Sequence, residues 1–217
     1  MKGKAAIDYT LYLVTDRDLF PGIRLAEAVE QAIQGGVTMV QLREKNVSSR
    51  EFYTVAMEIK EITDRYNVPL IINDRLDIAL AIDAAGFHAG QDDLPARVAR
   101  KQLAGTGKIL GVSAATVAEA LQAQKDGADY IGAGSVFTTD TKKDVRPLSL
   151  ELLKKIKQAV TIPVVAIGGI NENNAGLLHG TGIDGIAVVS AILGKKDARK
   201  AAEDLKKIVT FIQTGRK

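Results

Sequence analysis

The chain has 217 residues, 46% of them hydrophobic, 25% charged and 5% aromatic, with a formal net charge of +3. These values fit one soluble globular domain whose core is large enough to need no covalent staples. Cysteine is absent, which excludes disulfides, thiolate nucleophiles and Cys-ligated zinc. The only histidines, His88 and His179, make no His-rich metal pattern, and no Lys/Arg stripe with interleaved aromatics marks a nucleic-acid surface.

Met1 to Ala6 is short and basic, with no apolar run before Asp8, so no targeting segment is expected. The first apolar run, Leu11–Val14, predicts a strand, and Leu25, Val29, Ala32 and Ile33 fall at the three-and-four spacing of a helix that ends at Gly35-Gly36. Met39–Leu42 predicts the second strand, followed by a helical stripe of Phe52, Val55, Ala56, Ile59 and Ile62. Pro69 precedes a third strand at Leu70–Ile72, and Gly86–Ala89 and Ile109–Val112 predict the fourth and fifth. Tyr130–Ala133 follows a helix end at Gly127 and predicts the sixth. A helix begins with Leu150, Leu153 and Ile156 and turns polar at Lys157. Pro163 precedes the seventh strand at Val164–Ile167, a helix ends at Gly182, and Gly185–Val188 predicts the eighth.

Most of these runs are continuously apolar, as parallel strands buried on both faces require. Eight strands, each followed by a helix, in 217 residues give about 27 residues per unit, which predicts a single, compact α/β domain of the (β/α)8 TIM-barrel type spanning residues 1–217. A doubly wound sheet is disfavoured, because Val14-Thr15-Asp16-Arg17 after the first strand carries no G-x-G-x-x-G. The longest apolar stretches, such as Ile78–Ile82, fall far short of the roughly 18 residues a membrane helix needs. A soluble, cytoplasmic protein with no membrane or nucleic-acid partner is expected; a homo-oligomer is compatible with the sequence but not readable from it.

In such a barrel the chemistry belongs at the C-terminal ends of the strands. The second strand runs into Gln41-Leu42-Arg43-Glu44-Lys45, where alternation puts Gln41, Arg43 and Lys45 on one side. Three such groups suit a polyanion and a hydrogen-bonding ring, or form a solvated loop. The third and fourth strands end at Asn73-Asp74 and at Gly90-Gln91-Asp92-Asp93. Carboxylates there suit magnesium, or Asp74 and Asp93 cap the helices that follow. Ser113 ends the fifth strand and offers its hydroxyl to a phosphate or to a helix cap.

Roughly 15 residues separate the sixth strand from its helix, an unusual span for a compact domain. They include Thr138, Thr139, Asp140, Thr141, Lys142 and Lys143, hydroxyls and ammonium groups suited to phosphate. The loops after the last two strands, with Gly168-Gly169 and Val189-Ser190, match the recurrent phosphate site of these barrels. His88 falls inside a strand and reads as a packed or hydrogen-bonded ring, and His179 lies in the helix after the seventh strand. With no acid–base pair or nucleophile in evidence, the site reads as one that stabilises charge.

The runs Gln41–Lys45, Asn73-Asp74, Gly90–Asp93, Gly111-Val112-Ser113, Thr139–Lys143 and Ile167–Ile170 resemble, in order, the motifs of the thiamine phosphate synthase family. The resemblance covers nearly the whole chain. It implies a TIM-barrel transferase that joins a hydroxymethylpyrimidine diphosphate to a thiazole phosphate, or its carboxylated tautomer, giving thiamine phosphate and pyrophosphate through a pyrimidinylmethyl cation. It further implies that Gln41, Leu42, Arg43, Glu44, Lys45, Asn73, Ser113 and Lys142 bind the pyrimidine diphosphate, with Arg43, Lys45, Ser113 and Lys142 catalytic. Asp74 and Asp93 would ligate Mg²⁺. Thr139, Asp140 and Thr141 would line the thiazole, and Gly169, Val189 and Ser190 would cradle its phosphate. The long sixth-strand loop would act as a lid that shields the cation from water.

The chain departs from the family pattern at Ser135 and Thr138, where prolines are usual, and at Ala115, where a histidine is common. Three other functions share the fold: a thiazole tautomerase-like relative, a phosphate-binding barrel of tryptophan or histidine biosynthesis, and a non-catalytic phosphate sensor. The first would use a histidine base without a full diphosphate constellation, and the second would show paired acid and base residues at strand ends.

Overall fold

The computed structural model describes residues 7–17, 24–138 and 147–214. Eight strands pair in parallel, each with the next in sequence, and β8 closes on β1. They are β1 (Leu11–Val14), β2 (Met39–Leu42), β3 (Leu70–Asn73), β4 (Gly86–Ala89), β5 (Ile109–Ala114), β6 (Tyr130–Gly134), β7 (Val164–Ile167) and β8 (Gly185–Val188). The expected (β/α)8 barrel is the fold. Around it lie α1 (Leu25–Gln34), α2 (Ser49–Arg65), α3 (Leu76–Ala81), α4 (Ala96–Gln102), α5 (Val117–Lys125), α6 (Leu150–Ala159), α7 (Ser190–Leu193) and α8 (Ala198–Thr214). None of the described helices is long and apolar enough to cross a membrane.

The expectation fails in one unit. Between β7 and β8 the chain makes only a 3-10 turn at Ala175–Leu178. The cause is local. Asn174 accepts from the Asn171 N–H through Oδ1 at 2.8 Å and donates to the Gly169 carbonyl through Nδ2 at 2.9 Å. Side-chain bonds of this kind compete with helical ones. His179 therefore follows a turn rather than lying in a helix, and its ring stacks on Phe211 with centroids 5.5 Å apart.

Strand alternation sorts the core into two layers. Leu11, Leu13, Val40, Leu42, Leu70, Ile72 and Phe87 face outward and pack with the helices. Tyr12, Val14, Met39, Ile71, Ile109, Tyr130, Val165 and Ala187 fill the barrel interior. A ring as large as Tyr130 fits inside because the neighbouring strand β5 contributes no side chain beside it. Gly111 is opposite Tyr130 in the β5–β6 ladder, and a Cβ on it would stand 2.1 Å from the Tyr130 ring and 2.4 Å from His88 Nδ1.

Gly111→Ala should therefore destabilise the protein by about 1–3 kcal/mol, the usual cost of overpacking a filled core. Urea unfolding reads this as a lowered midpoint at unchanged slope. A wild-type midpoint would show that Tyr130 does not occupy the barrel interior.

Candidate active site

At the end of β2, Gln41 is buried with its side chain turned into the barrel, where its Nε2 donates to Tyr12 Oη at 2.6 Å. Beyond it, the Arg43 N–H donates to Thr15 Oγ1 at 3.0 Å, and the Arg43 guanidinium pairs with Asp16 at 3.1 Å. Lys45 pairs through Nζ with Asp74. Gln41, Arg43 and Lys45 line one cavity at the barrel mouth. Leu42 and Glu44, expected to share that wall, do not line it.

Both residues have the opposite parity along the chain. Leu42 is packed into the outer layer. Glu44 is buried beside Arg17, which it meets at 2.9 Å. Burial pushes the Glu44 carboxyl up, and Arg17 offsets this only in part.

Asp74 follows β3 at φ 60, in the left-handed region, and its N–H donates to the His88 carbonyl at 3.0 Å. Aspartate and asparagine tolerate that region better than most residues. After β4, Asp93 Oδ2 accepts from the Gly90 N–H at 2.7 Å, closing a tight turn. The turn brings Asp93 and Asp74 into hydrogen-bonding contact. Burial pushes the Asp93 carboxyl up, and neighbouring Asp74 adds to the rise. Burial acts upward on Asp74 too, but hydrogen bonds from Asp93 and Lys45 outweigh it and hold Asp74 below the ordinary carboxylate range.

Neither carboxylate caps a helix. The residue before α3 is Arg75 and that before α4 is Pro95, both without a side-chain cap. Two converging carboxylates that must share a proton or a neighbouring ammonium make a donor set that fits a divalent cation. Among the described residues no group of three or more His, Cys, Asp or Glu is placed to hold a metal.

Ser113 caps no helix either, because Thr116 caps α5. Its Oγ meets His88 Nε2 at 3.0 Å, and its carbonyl accepts from Gln91 Nε2 at 2.5 Å. Across the mouth, Gly168 and Gly169 stand at φ 102 and 65. A Cβ on Gly168 would come within 2.1 Å of Ser135 Oγ, and one on Gly169 within 2.4 Å of the Thr138 carbonyl. Only glycine fits this contact between the β6 and β7 loops. Val189 and Ser190, at the start of α7, complete that side.

The cavity so enclosed measures about 390 Å³, a usual size for a small-molecule site. It gathers Gln41, Arg43, Lys45, Asn73, Asp74, Asp93, Ser113, Gly169, Val189 and Ser190. Thr139, Asp140, Thr141 and Lys142, together with Lys143, lie outside the described residues. Ala115, where a histidine is common in the family, also lines the cavity, and its N–H donates to Glu119 Oε2 at 2.7 Å.

Sequence reasoning passed over Tyr12, Tyr130 and the cavity-facing role of His88. The signal for them is parity: His88 alternates with Gly86 and Gly90, and glycines 111 and 132 stand beside it on the neighbouring strand and the next.

A family model described as thiamine monophosphate synthase matches residues 11–192. A Clostridium tetani protein named thiamine-phosphate synthase is 63% identical over 199 residues, 92% of this chain and 95% of the relative. One of the same name from Ruminiclostridium cellulolyticum is 62% identical over 205 residues, covering 94% and 97%. Among solved structures, thiamine phosphate pyrophosphorylase from Pyrococcus furiosus superposes with a TM-score of 0.87 at 46% identity, covering 95% of this chain and 98% of that one. The chain therefore belongs to the thiamine monophosphate synthase family of transferases, the family that its strand-end motifs resemble.

Proposed function

We propose that this chain is a Mg²⁺-dependent thiamine phosphate synthase of the cytoplasm and that its cavity works as follows. The observation that carries the reading is one cavity with two unlike walls. On one stand Arg43, Lys45 and the Asp74–Asp93 pair; on the other stands the glycine cradle of Gly168, Gly169 and Ser190. A diphosphate suits the first and a monophosphate the second, so the two substrates lie with their reacting ends toward each other.

The pyrimidine diphosphate is held by Arg43 and Lys45, with Gln41 and Asn73 toward its ring. As the methylene C–O bond breaks, the electron pair leaves with pyrophosphate, whose growing charge the Arg43 guanidinium, the Lys45 ammonium and the Ser113 hydroxyl stabilise. Lys142 adds a further charge in this reading. Mg²⁺, held by Asp74 and Asp93, would supply charge neutralisation on the diphosphate oxygens. The thiazole nitrogen then donates its lone pair to the pyrimidinylmethyl cation, forming the C–N bond. No proton moves in either step, so the site needs no general base. Thr139 and Thr141, with the backbone near Asp140, would line the thiazole, Val189 would stand beside its phosphate, and the loop from Ser135 would exclude water.

The geometry of His88 argues against the tautomerase-like alternative. Tyr130 Oη stands 3.0 Å from its Nδ1 and Ser113 Oγ 3.0 Å from its Nε2. A ring tethered at both nitrogens orients its neighbours rather than abstracting a substrate proton.

Incubation with both phosphorylated substrates and Mg²⁺ should release one pyrophosphate per thiamine phosphate formed. Pyrophosphate released from the pyrimidine diphosphate without thiamine phosphate being formed, or no release at all, would overturn the reading. Asp74→Asn, which keeps the left-handed backbone, should lower turnover by about 100-fold or more at limiting Mg²⁺ with the melting temperature preserved. Wild-type turnover in that variant would remove Asp74 from the metal site. Arg43→Ala should act mainly on the diphosphate, raising its KM by about tenfold or more while leaving the KM for thiazole phosphate unchanged. An equal rise for both substrates would place Arg43 elsewhere.

A further inference from the structure

Along the cavity floor runs a continuous line of hydrogen bonds across the barrel interior. Gln41 Nε2 meets Tyr12 Oη at 2.6 Å, Tyr12 Oη meets Tyr130 Oη at 2.8 Å, Tyr130 Oη meets His88 Nδ1 at 3.0 Å, and His88 Nε2 meets Ser113 Oγ at 3.0 Å. Both tyrosines are 2% exposed or less, and each hydroxyl has a partner on either side within the line. Burial pushes the Tyr12 phenol far above its ordinary range, and the Tyr130 phenol likewise. Both remain neutral, each with one proton to give.

That single proton per hydroxyl fixes the direction of the whole line. Gln41 donates to Tyr12, so the Tyr12 proton has only Tyr130 to go to. The Tyr130 proton must then go to His88 Nδ1. A neutral ring that accepts at Nδ1 carries its hydrogen on Nε2, which donates to Ser113 Oγ. The Ser113 proton is left for whatever occupies the cavity. At the other end, the Gln41 amide has spent an N–H on Tyr12 and turns its carbonyl toward the ligand. Turning the amide over would reverse every link, so that Gln41 offered N–H and Ser113 offered a lone pair.

We propose that Tyr12, Tyr130 and His88 are positioning residues that form a directional relay, locking together the hydrogen-bonding faces that Gln41 and Ser113 present. The relay selects a ligand that donates at the Gln41 end and accepts at the Ser113 end. An amino-substituted heteroaromatic ring carrying an anionic group has that pattern. The identity of this ligand rests on the synthase reading; the relay itself does not. The consequence is that the two contacts are not independent. A substrate that engages Gln41 wrongly also loses the Ser113 proton at the departing oxygen.

The test has an arm without substrate and an arm with it. With only two histidines in the chain, ¹⁵N spectra of histidine-labelled protein at mildly alkaline pH report the His88 tautomer directly. Wild type should carry the hydrogen on Nε2, and hydrogen on Nδ1 there overturns the relay. That measurement needs no variant, so it decides even if a variant does not fold. Gln41→Glu offers only acceptors, so it should reverse the line and move the hydrogen to Nδ1. In the Tyr12→Phe background the same substitution should leave it on Nε2, because the link is cut. A tautomer indifferent to Gln41→Glu, or a shift that persists without the Tyr12 hydroxyl, refutes transmission through the line.

In the kinetic arm, Ser113→Ala should cost about tenfold or more in kcat in the wild-type background. It should cost less than about threefold after Gln41→Glu, where Ser113 no longer donates outward, and the full cost should return in Gln41→Glu with Tyr12→Phe. Equal costs in all three backgrounds refute the coupling. If pyrophosphate release fails while the tautomer results hold, the synthase reading falls and the relay stands.

Discussion

Closing eight parallel strands into a barrel fixes the direction of every strand side chain, and the rest of the molecule depends on that constraint. Along each strand the residues alternate between the helix-facing layer and the interior. Gln41 points into the barrel because Leu42 must face α2 and its neighbours, and Arg43 and Lys45 follow the same parity past the strand end. The same rule sends Glu44 away from the cavity to Arg17. Nothing about the chemistry of Gln41-Leu42-Arg43-Glu44-Lys45 distinguishes a wall residue from a buried support. Only its phase does.

That phase also explains the interior. The barrel carries two tyrosines and a histidine where aliphatic side chains would serve packing equally well. It makes room for them with glycines at 111 and 132 on β5 and β6. A buried polar group without a partner is costly, whereas a fully satisfied line of them specifies one arrangement. Here the line ends at two residues of the cavity, so polar burial orients groups that line it. The charged groups at the mouth have a different task. Asp74 and Asp93 are brought together against their mutual repulsion, and Lys45 is held beside them. In the proposed reading this arrangement receives a divalent cation and a polyanion.

Much of the fold was legible in the chain. Continuous apolar runs separated by helical stripes place all eight strands to within two residues, because parallel strands buried on both faces leave that pattern. The same continuity hides parity: in Leu11–Val14 or Tyr130–Gly134 both faces are apolar, so Tyr12 and Tyr130 do not announce themselves as interior. The missing helix after β7 was obscured because the local side-chain bonds of Asn171 and Asn174 leave no mark on the apolar periodicity. Asp74 and Asp93 were legible as strand-end carboxylates, but their contact depends on the left-handed backbone at Asp74 and the turn that Gly90 closes. Arg17, which holds Glu44, sits in an irregular segment with no pattern to reveal it.

The account depends most on the assignment of the two cavity walls to two different phosphates. A crystal structure with Mg²⁺, pyrophosphate and thiamine phosphate tests it directly. Pyrophosphate should lie against Arg43 and Lys45, with one Mg²⁺ bridging it to Asp74 and Asp93, and the thiamine phosphate group should rest on Gly169 and Ser190. Pyrophosphate seated in the glycine cradle, or a metal bound away from both aspartates, would contradict the account.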